Sequence, residues 1–284
     1  MPVPPAEAPR NRMLVVALLF LSTLFSACDA HPARDARWSG GGTPSPVSSP
    51  SASGPGGTAL QGSGPPSAET YRDRLPAFGK APPARPVTLT VADGGDVPWI
   101  SRVPTDQPVA FVTIDDGWVK HPEAAELLRE AHVPVTLFLT VNAVSDNPAY
   151  FKKLQDIGAV IEAHTITHTI LSGKSYVFQK DEICGSADQL GALYGRRPTL
   201  FRPPGGIEDA TTLRAVRDCG MKAAFFWKES VNQGNVWYQE VKAIQPGDVI
   251  LMHFRAQFVE DFIAALRAIK AAGLTPAQLE DYFP

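Results

Sequence analysis

From Val87 onward, short apolar runs alternate with stretches whose apolar residues recur every three or four positions, and this alternation constrains the fold more than any single residue. Residues 109–114, 135–140, 159–163, 199–202, 222–227 and 249–253 read as strands, and 122–131, 149–156, 177–194, 210–219 and 256–271 as helices. The last helix shows the pattern in Phe258, Phe262, Ala265, Leu266 and Ile269. Strand alternating with helix implies βαβ units and a parallel sheet buried on both faces. About six to seven such units in ~200 residues favour an α/β fold closed into a distorted (β/α) barrel over an open sheet. No G-x-G-x-x-G string follows the first strand. Asp115, Asp116, His164, Arg202 and His253 all fall at the C-terminal ends of strands, where a β/α barrel gathers its reactive groups.

The front of the chain is different. Residues 39–66 hold 21 Gly, Pro or Ser in 28 positions, and no aromatic residue lies between Trp38 and Tyr71. Such a stretch cannot bury enough apolar surface to offset its ordering entropy, so 29–86 is expected to be a disordered tether. A root-mean-square reach of ~40 Å follows for a flexible segment of that length. Before it, Arg10 and Arg12 precede an apolar run from Met13 to Phe25 and then Ser26, Ala27 and Cys28. The run is shorter than the ~20 residues of a membrane-spanning helix and suits an export signal over 1–28. Leu24 to Cys28 resembles a bacterial lipoprotein box, with Phe25 where Leu is usual, which implies lipidation at Cys28 and a membrane lipid anchor at the cell surface. A simple cleaved secretory signal is the alternative, and both place the domain, residues 87–284, outside the cytoplasm. Cys184 and Cys219 then remain as an even pair that an oxidising compartment can bridge, although two buried thiols would read the same. Residues 87–284 carry 18 Lys/Arg against 24 Asp/Glu, and an acidic domain without a basic stripe argues against nucleic acid as partner.

Three strings carry the chemistry. Thr113-Ile114-Asp115-Asp116-Gly117 ends a strand with two carboxylates, which alternate in direction on extended backbone and so can serve different partners. His164 and His168 lie four apart, and two imidazoles beside a carboxylate favour zinc or a similar cation. Leu251-Met252-His253 ends a buried strand with the side chain best suited to proton donation near neutrality. Between them, Phe201-Arg202-Pro203-Pro204-Gly205-Gly206 offers an arginine for a bidentate pair with Asp115, and glycines whose N–H groups can approach a ligand closely.

Taken together and in order, these strings resemble the NodB-type polysaccharide deacetylases, carbohydrate esterase family 4, over about Pro108 to Phe254. The resemblance implies Asp115 as general base, Asp116, His164 and His168 as ligands of a divalent metal, most simply Zn2+ with Co2+ or Ni2+ as alternatives, and Arg202 as the group that orients the base. It implies an acetyl pocket at Leu251, a backbone oxyanion donor at Gly205, a substrate contact at Trp227 and a general acid at His253. Two positions depart from the family pattern. Gly205 stands where an aromatic residue is usual, and Ser230 where an Asp, three residues after Trp227, normally pairs with the acid histidine. Glu229, or another carboxylate that the sequence does not place, is the candidate for that pairing. The implied activity is removal of N-acetyl groups from an amino-sugar polymer, N-acetylglucosamine units of peptidoglycan first, by a monomer. O-deacetylation of a polysaccharide such as xylan, and a non-catalytic wall-binding protein, remain as alternatives.

Overall fold

The computed structural model describes residues 73–88 and 95–284. The expected export signal, the lipidation site Cys28 and most of the expected tether lie outside these residues.

The strands are β1 (Trp99–Ile100), β2 (Val109–Asp116), β3 (Thr136–Leu139), β4 (Val160–Ala163), β5 (Leu200–Phe201), β6 (Ala223–Phe225), β7 (Glu229–Asn232), β8 (Asn235–Tyr238), β9 (Val249–His253) and β10 (Thr275–Pro276). The helices are α1 (Ala124–Ala131), α2 (Val141–Val144), α3 (Pro148–Asp156), α4 (Tyr176–Tyr194), α5 (Ala210–Asp218) and α6 (Phe258–Ala271). Strands run in the order β1-β6-β5-β4-β3-β2-β9-β7-β8, with β10 beside β2. All pairings are parallel except the β7–β8 hairpin. Past β1 the backbone reaches round to β9: Val103 N–H donates to Gly247 O (2.7 Å) and Val249 N–H to Ser101 O (3.3 Å), curling the sheet into the distorted barrel. Gly247 permits this approach, because a Cβ there would stand 2.1 Å from Val103 O.

Strand periodicity sorts the side chains. On β2, Ala110, Val112 and Ile114 face the helices, while Val109 and Phe111 join Phe138, Leu200, Phe225 and Val249 in a second apolar cluster inside the barrel. Tyr282, edge-on to Phe111 at 5.0 Å, and Phe283 close its lower end. Continuing the inward register toward the strand C-termini gives Thr113 and Asp115 on β2, His164 after β4, Arg202 after β5, and Leu251 and His253 on β9. The fold thus delivers the reactive groups to one end of one interior.

Local signals set the helix ends. Asn147 and Ser175 cap α3 and α4 by accepting from Tyr150 N–H and Phe178 N–H, and Asp209 with Thr212 forms a capping box on α5. Cys184 and Cys219 are bridged, tying α4 to the end of α5 across 35 residues. No helix among the described residues is long and apolar enough to cross a membrane.

The body begins earlier than composition suggests. Residues 73–86, read from sequence as tether, lie along it: Leu75 and Phe78 pack on the main core, and Lys270 donates to Ala77 O (2.8 Å). Gln107 accepts from Arg85 N–H (3.0 Å) and donates to Pro83 O (2.8 Å). A proline-rich segment can dock this way because side chains of the body donate to its carbonyls and Gln107 accepts from the Arg85 N–H.

A half-buried acid lies below the reactive end. Glu280 accepts from Thr136 Oγ1 (2.9 Å) and from Gln278 Nε2, and burial, with Glu162 nearby, pushes its carboxyl up from 4.5 to about 7. A folded-state pKa above the unfolded one means that Glu280 contributes stability that is present below about pH 4.5 and is lost as pH rises through about 7. Urea unfolding at pH 5 and pH 8 is expected to show a smaller loss of stability in Glu280→Gln than in the parent. Equal pH dependence in the two would remove Glu280 from this role.

Candidate metal centre

Asp115 keeps the inward register of β2, and Arg202 meets it: Nη1 donates to Asp115 Oδ1 (2.6 Å) and Thr113 Oγ1 (2.8 Å), and Nη2 to Phe226 O (3.1 Å). The sequence suggested a bidentate pair; the guanidinium instead divides its donors among a carboxylate, a hydroxyl and a carbonyl. It is fully buried over the Phe138 ring (4.4 Å). Burial draws the guanidinium down from its ordinary value, and Asp115 opposes this.

Asp116 departs from strand alternation. Its φ of 75° turns the backbone into the left-handed region, bringing its carboxylate to the side of the histidines. Asp116 Oδ1 lies 3.4 Å from His164 Nε2 and 3.1 Å from His168 Nε2, while Asp115 Oδ2 is 3.9 Å from His164 Nε2. Burial raises the Asp116 carboxyl, and the two imidazoles outweigh it, holding Asp116 well below the usual carboxylate range. Asp116 in turn draws His168 above its ordinary value.

The donor set fits a divalent ion. One atom each from Asp116, His164 and His168 lies within 4.8 Å of the others. His164 Nδ1 is 2.6 Å from Arg202 O, an acceptor only, so Nδ1 carries the proton and the Nε2 lone pair faces Asp116. Asp116 Oδ1 is buried and accepts no hydrogen bond. An anionic oxygen opposite an imidazole lone pair is an arrangement that a cation between them completes.

The other expected residues are close by. His253 Nε2 is 4.0 Å from Asp116 Oδ2, and burial lowers its imidazole below the ordinary value despite the two aspartates. Glu229 does not face it. In register Glu229 lies opposite Ile250, and burial with Asp248 pushes its carboxyl up to about 8. The suggestion that Glu229 replaces the missing aspartate is therefore corrected: adjacency in sequence put Glu229 near Ser230, but strand register points it to Asp248, toward the start of β9. Ser230 pairs with Leu251, which is buried. Among the described residues, Asp116 is the one carboxylate within ion-pairing distance of the His253 ring.

Gly205 adopts φ 67°, in the left-handed region. Ile170 Cδ1 and Ile207 Cδ1 lie 3.1 and 3.6 Å from where its Cβ would stand, so two isoleucines occupy the wall that an aromatic residue would otherwise form. Both are exposed, as is Trp118 beside Gly117. Trp227 is half-buried, stacked on Phe226 at 4.1 Å. Sequence reasoning missed Thr113, although a hydroxyl two residues before Asp115 on the same strand face was a readable signal.

A family model described as polysaccharide deacetylase matches residues 102–224. An uncharacterized protein of Streptomyces coelicolor is 37% identical over 193 residues, covering 65% of this chain and 77% of its own. The peptidoglycan-N-acetylmuramic acid deacetylase PdaA of Bacillus subtilis is 24% identical over 192 residues, 62% and 72% of the two chains. In fold, the chain is similar to the solved structure of wild-type BA3943, a CE4 family pseudoenzyme from Bacillus anthracis, with TM-score 0.59 and 20% identity over 66% of this chain and 69% of that one.

Proposed function

Since this chain belongs to the polysaccharide deacetylase family, carbohydrate esterase family 4, we propose that it is a metal-dependent hydrolase that removes N-acetyl groups from the amino sugars of peptidoglycan, N-acetylglucosamine units first. The observation that carries the reading is the convergence of Asp116, His164 and His168 beside an Arg202-bound Asp115.

A divalent ion held by Asp116, His164 and His168, zinc being the best match to two imidazoles and one carboxylate, supplies Lewis-acid polarisation and a lowered water pKa when bound. The chain's own residues do the rest. Arg202 fixes Asp115 by Oδ1, leaving Oδ2 on the histidine side to take the proton of the attacking water. The Gly205 N–H would be the backbone donor to the developing oxyanion, and the buried Leu251 would accommodate the acetyl methyl. His253 gives the proton to the leaving nitrogen, so that acetate and a free amine result. Exposed Trp118, Ile170 and Ile207 offer apolar surface for the faces of sugar rings.

One observation favours a second reading. Burial lowers His253, and among the described residues no carboxylate other than that of the proposed ligand Asp116 stands within ion-pairing distance of its ring, which weakens proton donation to an amine. An alkoxide leaves more readily than an amine, which suits an O-deacetylase, and loss of turnover altogether would leave a carbohydrate-binding protein. The proposed location supports peptidoglycan: a monomer held outside the cytoplasm by a lipid at Cys28 would have the wall as its nearest polymer. Acetate release from peptidoglycan, N-acetylglucosamine oligomers and acetyl-xylan, compared side by side, tests the choice. Fastest release from peptidoglycan is expected; faster release from xylan moves the assignment to the ester, and tight binding without acetate to the non-catalytic reading.

A further inference from the structure

His164 and His168 sit on a loop whose backbone is held against its preference. Thr165 and His168 have φ of 70° and 62°, in the left-handed region that disfavours any residue with a Cβ. Such a loop persists only where its surroundings over-determine it. Its ends are tied locally. Thr140 Oγ1 and Thr165 Oγ1 donate to His164 O (2.9 and 2.5 Å), and His168 N–H donates to Thr165 Oγ1 (3.0 Å). The carbonyls of Thr165 and Ile166 accept from Val141 N–H (3.1 Å) and Asn142 N–H (3.0 Å) at the start of α2.

The middle of the loop is held from α4. Glu182 Oε2 accepts from Ile166 N–H (3.0 Å) and Thr167 N–H (2.9 Å), and Oε1 accepts from Thr167 Oγ1 (3.0 Å). Glu182 lies on the buried face of its helix, with Gln179, Ile183 and Ser186. Three positions on, Gly185 receives the loop: a Cβ there would stand 2.7 Å from Ile166 Cδ1. Carboxylate and notch together dock the residues between the two histidines onto one helix face.

We propose that Glu182 is a positioning residue for the metal centre, fixing the separation and direction of His164 and His168 by binding the backbone between them. This rests on the metal reading above. The carboxylate touches neither metal nor substrate; it sets the geometry that the two imidazoles present, as outer partners of metal ligands do.

The test is the zinc dissociation constant, measured by competition with a chromophoric chelator, together with the visible spectrum of the Co2+ form, for parent, Glu182→Ala and Glu182→Gln. Glu182→Ala is expected to weaken zinc binding about 10- to 100-fold and to alter the Co2+ spectrum. Glu182→Gln is expected to restore both, because the amide oxygen can accept from both N–H groups while the amide nitrogen donates to Thr167 Oγ1. Binding by Glu182→Ala within twofold of the parent, or Glu182→Gln as weak as Glu182→Ala, overturns the proposal. Should Glu182→Ala not fold, Thr167→Val removes the hydroxyl link alone and is expected to give a severalfold loss, with unchanged affinity counting against the inference. A parent that binds no zinc would bring down the metal reading itself, a result distinct from tight binding left untouched by the variants.

Discussion

Replacing His168 by alanine is expected to lower acetate release about 100- to 1,000-fold, because Lewis-acid polarisation contributes several kcal/mol that a site with two ligands cannot supply. His168 is the ligand to remove. Its side chain is 34% exposed against 2% for His164, so truncation leaves a surface notch and not a core cavity. Circular dichroism of the variant should therefore match the parent. A chelator added to the parent should reproduce the loss, and zinc should reverse it in the parent alone. Full activity of His168→Ala in the presence of chelator would mean that the histidine pair is structural and that Asp115 acts without a metal.

The second large effect is on stability. Arg202→Met is expected to destabilise the protein by about 3–5 kcal/mol, since it leaves Asp115 as an uncompensated charge in the barrel interior. Arg202→Lys is no rescue: one ammonium cannot reproduce donors to Thr113, Asp115 and Phe226 O from two guanidinium nitrogens. Combining Arg202→Met with Asp115→Asn should recover much of the stability and none of the activity, because the buried charge is gone and so is the base. Urea unfolding of the single and double variants measures both. A loss below about 1 kcal/mol for Arg202→Met would show that Asp115 is satisfied by something other than the arginine.

These two predictions depend on features of unequal visibility in the sequence. The strands were readable, because β2 and β9 are continuous apolar runs buried on both faces whose side chains alternate in direction by backbone geometry, and α6 keeps helical spacing toward a core. From that alternation the inward direction of Asp115, Arg202 and His253 follows. The proposed ligand set was readable from its order along the chain, and the structure brings the three residues together. What short-range patterns could not reveal was anything fixed by a distant partner. Strand β1 has only two residues and exists because β6 lies beside it. Residues 73–86 carry the composition of a linker, yet they are held by Gln107 and Lys270 across the chain. The three-way division of the Arg202 donors depends on where the Phe226 carbonyl comes to rest, and Glu229 was misdirected because neighbours in sequence face opposite ways on a strand. Glu182 left a weak trace, a carboxylate on the apolar face of α4, which only the loop packed against it explains.

The positions that break local rules gather at the site. Asp116, Thr165 and His168 are three of the five non-glycine residues with positive φ among the described residues, and two of them are proposed ligands. Strain held in place by Thr140, Thr165 and Glu182 is consistent with a centre formed before any ion arrives, and it ties local backbone to function.

The most direct measurement is acetate release from peptidoglycan by metal-free protein titrated with zinc. Release is predicted to rise from baseline in proportion to added zinc and to level off at one equivalent per chain. Release that is already maximal in the metal-free protein, or absent at one equivalent of bound zinc, would contradict a metal-dependent deacetylase.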